Sequence, residues 1–291
     1  MSDTTGSQVA SGSSERIGNV QYLRTVILFM AAGMLIGAAT YVKFIPAGTR
    51  MVLKVGMLSV SLAAWMVLSR SRRFHTYKQL SQSFFAISLG VLLAQYAGNI
   101  PIRLLGFSIN TMQGVAMAKF GEALMIVLPI LVLHFATGGD RSGLFLARGN
   151  LKLGMITGIA GFAVFGAIAL LQAAVSGLSF GKVVAALPWI LVFIFSNAFM
   201  EELWFRALFL KKLEPLVGSK TALIITALVF AAVHISSTYV IDILLFMVAL
   251  LALGLLWGWL MQKSNSIWGA VLIHAGADVL VILGFLAAAA H

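Results

Sequence analysis

Six ionisable side chains sit where the surrounding sequence is almost wholly apolar. They are Glu201, Glu202 and Arg206 in the run Phe199-Met200-Glu201-Glu202-Leu203-Trp204-Phe205-Arg206, His234 after Phe230-Ala231-Ala232-Val233, and His274 with Asp278 in His274-Ala275-Gly276-Ala277-Asp278. Carboxylates and imidazoles in such places move protons, either as acid–base catalysts or as relays in transport. An ionised group at mid-bilayer costs about 2.5–3.5 kcal/mol on insertion scales, so it persists only when turned into a bundle and paired or functional.

Helical geometry divides the roles. Glu202 and Arg206, at i and i+4, share a face and pair, which reads most simply as a structural ion pair that orients the helix. Glu201 is turned by about 100° from Glu202 and shares its face with Asn197 and Phe205, with no cation on its own helix at that spacing. It is the carboxylate left over. His234 by itself could be no more than a donor to a neighbouring carbonyl. His274 and Asp278 stack on one face, and the small residues between them let another helix approach closely.

The elements that must position these groups are membrane spans. Of 291 residues 60% are hydrophobic and 10% charged, and the mean hydropathy is +1.01. Soluble domains are nearer half apolar and a quarter charged, so the excess belongs to lipid-facing surface. The pattern predicts an all-α, polytopic transmembrane helical bundle of about eight or nine spans, at 25–42, 51–69, 83–101, 120–137, 153–175, 185–210, 220–237, 241–261 and 267–289. Residues 1–20, rich in Ser, Thr and Gly, read as a disordered tail, 21–180 as N-terminal transmembrane helices and 181–291 as the core that carries the chemistry. The stretch 138–152 reads as an interfacial loop with Phe145 and Leu146 in the head groups and Arg141 and Arg148 on phosphates.

The net charge of +11 belongs in such a chain to loops facing anionic lipid, and no soluble basic patch exists to bind nucleic acid. The absence of cysteine excludes disulfides and thiolate chemistry. With the N-terminus inside, thirteen basic residues face the cytoplasm: Arg16, Arg24, Arg70, Arg72, Arg73, Lys78, Arg141, Arg148, Lys152, Lys211, Lys212, Lys220 and Lys263. Six lie at the other end: Lys43, Arg50, Lys54, Arg103, Lys119 and Lys182. This bias places the N-terminus in the cytoplasm, in the plasma (inner) membrane if the source is bacterial. Measured from Lys211, Lys220 and Lys263 at helical rise, Glu201, His234, His274 and Asp278 lie about 15, 21, 16 and 22 Å deep. Three helices thus bring their titratable groups to similar depth, and one constellation is expected, opening toward the cytoplasmic leaflet.

Glu-Glu-x-x-x-Arg, Phe-x-x-x-His and His-x-x-x-Asp, in that order on successive apolar segments, resemble the CAAX protease and bacteriocin-processing (CPBP, Abi) family of intramembrane endopeptidases. That family includes the type II CAAX prenyl endopeptidases and the lysostaphin-resistance-like proteins. The resemblance covers about residues 185–285; the earlier spans match only in being hydrophobic helices. Chance predicts the first motif in roughly 0.003 chains of this composition, so the ordered trio is specific.

The resemblance implies that Glu201 and His234 activate a water for attack on a peptide carbonyl, while His274 and Asp278 steady the oxyanion. Asn197, Glu202 and Arg206 are then orienting residues. Asp278 departs from the prenyl-protease branch, where Asn is usual; an ionised Asp would repel an oxyanion, so it must be protonated, orient His274 or bind a cation. Cofactors are expected to be none or one divalent metal such as zinc, for which Glu201, His234, His274 and Asp278 are ligands by type, although no zincin His-Glu-x-x-His helix is present. The expected partners are a peptide or protein substrate, lipidated in one branch of the family, and membrane lipids. A proton-coupled transporter and a non-catalytic immunity or scaffold protein are the other readings open at this point.

Several further residues are expected to be structural. Glu122 snorkels near a span end, Asp242 suits a helix N-terminus, His75 sits in a solvated basic loop, and His134 and His291 have no evident partner. Trp189, Trp257, Trp259 and Trp268 read as ordinary membrane aromatics.

Overall fold

The computed structural model describes residues 18–70, 74–237 and 242–288. Most of the N-terminal tail, Arg72, Arg73, the His75 side chain and His291 fall outside that description. The described elements are helices: α1 (Asn19–Tyr41), α2 (Ala47–Ser69), α3 (His75–Ala97), α4 (Ile100–Leu105), α5 (Met112–Ala136), α6 (Leu151–Val175), α7 (Phe180–Glu201), α8 (Lys211–Val217), α9 (Ser219–Ala232), α10 (Ile243–Ser264) and α11 (Trp268–Ala288). Among the described residues eight stretches are long and apolar enough to cross a bilayer, and α9 is a shorter apolar helix of 14 residues. The protein is a polytopic helical membrane bundle.

Local chemistry starts these helices where the chain needs to turn. Thr111, Asn150 and Ser179 accept the backbone N–H of Gly114, Leu153 and Lys182 at the starts of α5, α6 and α7. Asp242 accepts two, from Leu244 and Leu245, at the start of α10, the position its sequence suggested. The span expected at 83–101 stops at Ala97, because Gly98 and Asn99 lead into the separate one-and-a-half-turn helix α4, which carries Pro101 in its first turn.

Two expectations are corrected at the end bearing Lys211 and Lys263. Phe145 does not dip into head groups. It is buried beneath the Lys211 ammonium, 4.5 Å from its ring centroid, and its carbonyl accepts the Ile267 N–H. Arg141 and Arg148 are exposed as expected. His134 does have a partner, since its Nε2 bonds the Asp140 carbonyl at 2.8 Å. Asp140 in turn accepts from the Ser142 hydroxyl and the Gly143 N–H, and these bonds hold its carboxyl below the usual range.

The centre of the bundle is α11, packed between α6 and α7, with α9 and α10 closing the other side. Small residues set the spacing. A Cβ on Gly269 would lie 2.5 Å from the Gly154 carbonyl oxygen, and one on Gly276 would lie 2.7 Å from Phe162 Cα. At these two crossings the backbones touch, which is how helices associate in lipid without a hydrophobic driving force.

Candidate active site

The run 185–210 reads from its sequence as one continuous α-helix. The structure departs from this at Glu202, where α7 passes into a π-helical stretch, Glu202–Leu210, before α8 begins. All nine residues of that stretch are buried. A π-turn is wider than an α-turn, and such turns recur at functional sites. Here the widened segment carries the whole Arg206 side chain inside the protein.

The Arg206 guanidinium meets Glu202 Oε1 at 3.2 Å, with both side chains fully buried. It also lies 4.1 Å from the Phe230 ring centroid and 5.4 Å from that of Trp257. One carboxylate and two aromatic faces therefore compensate its removal from water. Gly254 of α10 makes room for this, because a Cβ there would stand 2.8 Å from Arg206 Nη2.

Glu202 does more than pair with Arg206. Its Oε1 also receives His274 Nδ1 at 2.8 Å. Since a carboxylate only accepts, Nδ1 carries the proton, and the opposite nitrogen is directed elsewhere. Nε2 of His274 lies 3.6 Å from Glu201 Oε2 and 3.7 Å from Asp278 Oδ1. Trp257 stacks on the imidazole at 4.1 Å and 9°, which fixes the ring plane. The order Arg206, Glu202, His274 thus sets the orientation of one nitrogen that faces two further carboxyl groups.

Asp278 is anchored separately. Asn197 Nδ2 donates to its Oδ2 at 3.0 Å across the α7–α11 contact. The i, i+4 spacing puts His274 and Asp278 on one face as read, but the short bonds of each go to α7 and the π-helical segment following it, not to one another. His234 lies in the turn after α9, where Nδ1 donates to the Phe230 carbonyl at 2.8 Å. Its Nε2 is left as the lone-pair end whenever the ring is neutral.

Glu201, His234, His274 and Asp278 line one cavity of about 600 Å³ together with Asn197, Phe230 and Trp257. The expected convergence of three helices is present. The cavity's open end is not the end bearing Lys211 and Lys263, toward which opening was expected. Away from the polar floor the cavity is lined by Tyr41 and Lys43 at the end of α1, Gln172 near the end of α6, and Ser236 and Ser237 after α9. These mark the end of the bundle opposite Lys211 and Lys263. Depth counted along helices from those lysines brings the floor residues to one level but does not reveal which side is open.

Sequence reading missed three contributors. Trp257, read only as an ordinary membrane aromatic, is a buried platform for His274. Lys119 and Tyr41 face the same cavity. Lys119 pairs with Glu122 at 2.6 Å and Tyr41 donates to that carboxylate at 3.4 Å, so Glu122 is one member of a polar cluster and not a lone snorkelling acid. The i, i+3 spacing of Lys119 and Glu122 was the only available signal.

Among the described residues no three His, Asp or Glu side chains are arranged to hold a metal ion. His274 Nε2 stands 3.6 and 3.7 Å from its carboxylate neighbours, separations that two donors on one tetrahedral ion could have, but the set of three that a site needs is not formed among the described residues. The four candidate ligands as arranged do not fit a zinc site.

A polytopic helical membrane protein with buried Glu, His and Asp around a cavity defines a class of intramembrane enzymes and carriers. Comparison with known families narrows it: residues 182–280 match the family model described as type II CAAX prenyl endopeptidase Rce1-like. The chain therefore resembles the CAAX proteases over the stretch that runs from α7 into α11, as its motifs indicated, and the match implies a membrane-embedded hydrolase of the protease kind. No curated protein and no solved structure matches the chain.

Proposed function

We propose that the protein is an intramembrane endopeptidase that hydrolyses peptide bonds near protein C-termini or in membrane-proximal segments, with Glu201 as the base that activates water. The supporting observation is the cavity shared by Glu201, His234, His274 and Asp278. Glu201 is the floor carboxylate whose contact is the long 3.6 Å approach to His274 Nε2, whereas Glu202 is committed at short range to Arg206 and His274.

In the proposed reaction a water between Glu201 and the His234 Nε2 loses a proton to the Glu201 carboxylate as its oxygen attacks the scissile carbonyl. The carbonyl π electrons move onto oxygen, giving a tetrahedral intermediate. His274, held through Nδ1–H by Glu202, donates Nε2–H in its imidazolium form to that oxyanion. The Glu201 proton then passes to the leaving nitrogen as the C–N bond breaks, releasing an amine and a carboxylic acid. Asp278, held by Asn197, faces His274 Nε2 through Oδ1 and orients the ring toward the cavity. No step is routed through a metal.

The test is a peptide-library cleavage assay on purified protein. Wild type is expected to cleave, and Glu201→Gln and His234→Ala to lose at least about a hundredfold of the rate. Cleavage unchanged in Glu201→Gln removes the assignment.

A further inference from the structure

The cavity and the charges of the loops lie at opposite ends of the bundle. The mouth belongs to the end where α1, α6 and α9 finish and α10 begins, marked by Tyr41, Lys43, Gln172, Ser236 and Phe246. Toward the other end the floor is closed. Below Glu202 the π-helical residues are all buried, and Leu210 and Leu213 are fully so.

That closed end carries the basic residues. Lys78, Arg141, Arg148, Lys152, Lys220 and Lys263 belong to loops or helix ends there, beside Lys211 and Lys212. The mouth end carries fewer, Lys43, Arg50, Lys54, Arg103, Lys119 and Lys182, and of these Lys119 is paired with Glu122. Loops rich in Lys and Arg stay in the cytoplasm, and short loops such as these are the ones that obey the rule. The chain direction agrees, because α1 starts at the basic end and finishes at the mouth.

We infer that the cavity is served from the extracytoplasmic side, so that its substrates are exported or membrane-anchored polypeptides presenting a segment at the outer leaflet, not the tails of cytosolic proteins. This rests on the hydrolase reading of the same site for its chemistry, but the sidedness rests on the geometry and the charges alone. Such a site acts after translocation: the reaction that supplies its substrate is the export or membrane insertion of a polypeptide.

The chain has no cysteine, so single-cysteine labelling needs no background removal. Phe44→Cys and Lys43→Cys mark the mouth end; Lys220→Cys and Lys263→Cys mark the basic end, where both lysines are exposed. In intact spheroplasts of a bacterial host, a membrane-impermeant maleimide is expected to label the first pair, and the second pair only after permeabilisation. Labelling of the basic-end pair from outside, or of both pairs alike, overturns the inference. In parallel, a membrane-impermeant peptide that detergent-purified protein cleaves is added to intact spheroplasts. Cleavage outside by wild type and not by Glu201→Gln is expected. Cleavage confined to lysed cells overturns the sidedness and spares the hydrolase. Absence of cleavage even in detergent sinks the hydrolase and leaves the labelling result to stand or fall separately.

Discussion

Helices α2 and α11 are both long apolar segments of similar length, yet α2 buries only Ser61 and α11 buries twelve residues. Hydropathy therefore reports that a segment lies in lipid and not where it lies in the bundle. The difference is carried by composition at particular positions. α11 has Gly269 and Gly276 at backbone contacts with α6, and His274 and Asp278 bonded to the π-helical segment and α7. At Gly56 of α2 an added Cβ would meet nothing within 4 Å. Specification in this protein is concentrated in α7, the π-helical segment, α9 and α11, and most of α2 needs only to be greasy.

That contrast can be broken most severely at the buried ion pair. Arg206→Met removes the guanidinium and leaves Glu202 with His274 as its remaining partner, and the expected loss is about 3–5 kcal/mol of stability, seen as a lower unfolding temperature in detergent. A drop no larger than that of an exposed-arginine control such as Arg148→Met would mean that the pair does not organise the core. Next in size are the glycine crossings. Gly269→Leu and Gly276→Leu are each expected to destabilise by about 1–3 kcal/mol through overpacking, while Gly56→Leu shifts stability by less than about 0.5 kcal/mol. Equal effects at all three would erase the distinction between α11 and α2. Smaller still is Asp278→Asn, because an amide oxygen can accept from Asn197 as the carboxylate does; the expected loss of kcat/KM is about tenfold or less. Asp278→Ala, which leaves Asn197 without that partner, should lose clearly more. The least effect is expected from chelation. Treatment with EDTA or 1,10-phenanthroline should leave cleavage within a factor of about two, given a donor set that does not fit zinc; abolition reversed by added zinc would require a rearranged site.

Much of the site was legible because intramembrane charge is rare and expensive. Glu201, Glu202, Arg206, His234, His274 and Asp278 stand out against apolar sequence, and helical phase alone separated Glu202–Arg206 from Glu201. The convergence of three helices followed from depth. The hydrogen bonds did not follow. The spacing of His274 and Asp278 indicates a shared face, but which atom bonds to which is decided by neighbours from other helices, and Glu202 and Asn197 take those places. Trp257 was invisible as a platform because tryptophan is ordinary in membrane segments. The π-helical turn left no trace in the periodicity, since a widened turn of nine apolar-rich residues reads as a continuing α-helix. The opening of the cavity depends on where α1, α6 and α9 end in space, which local pattern does not encode.

The central claim is that two adjacent glutamates divide the work, Glu201 reacting with water and Glu202 orienting His274. The most direct test compares Glu201→Gln with the wild type in two readouts on one preparation, thermal unfolding and kcat/KM for a cleaved peptide. The unfolding temperature is expected to stay close to wild type, with kcat/KM reduced by about a hundredfold to ten-thousandfold. A variant that unfolds early, or one that folds normally and still cleaves at the wild-type rate, would contradict it.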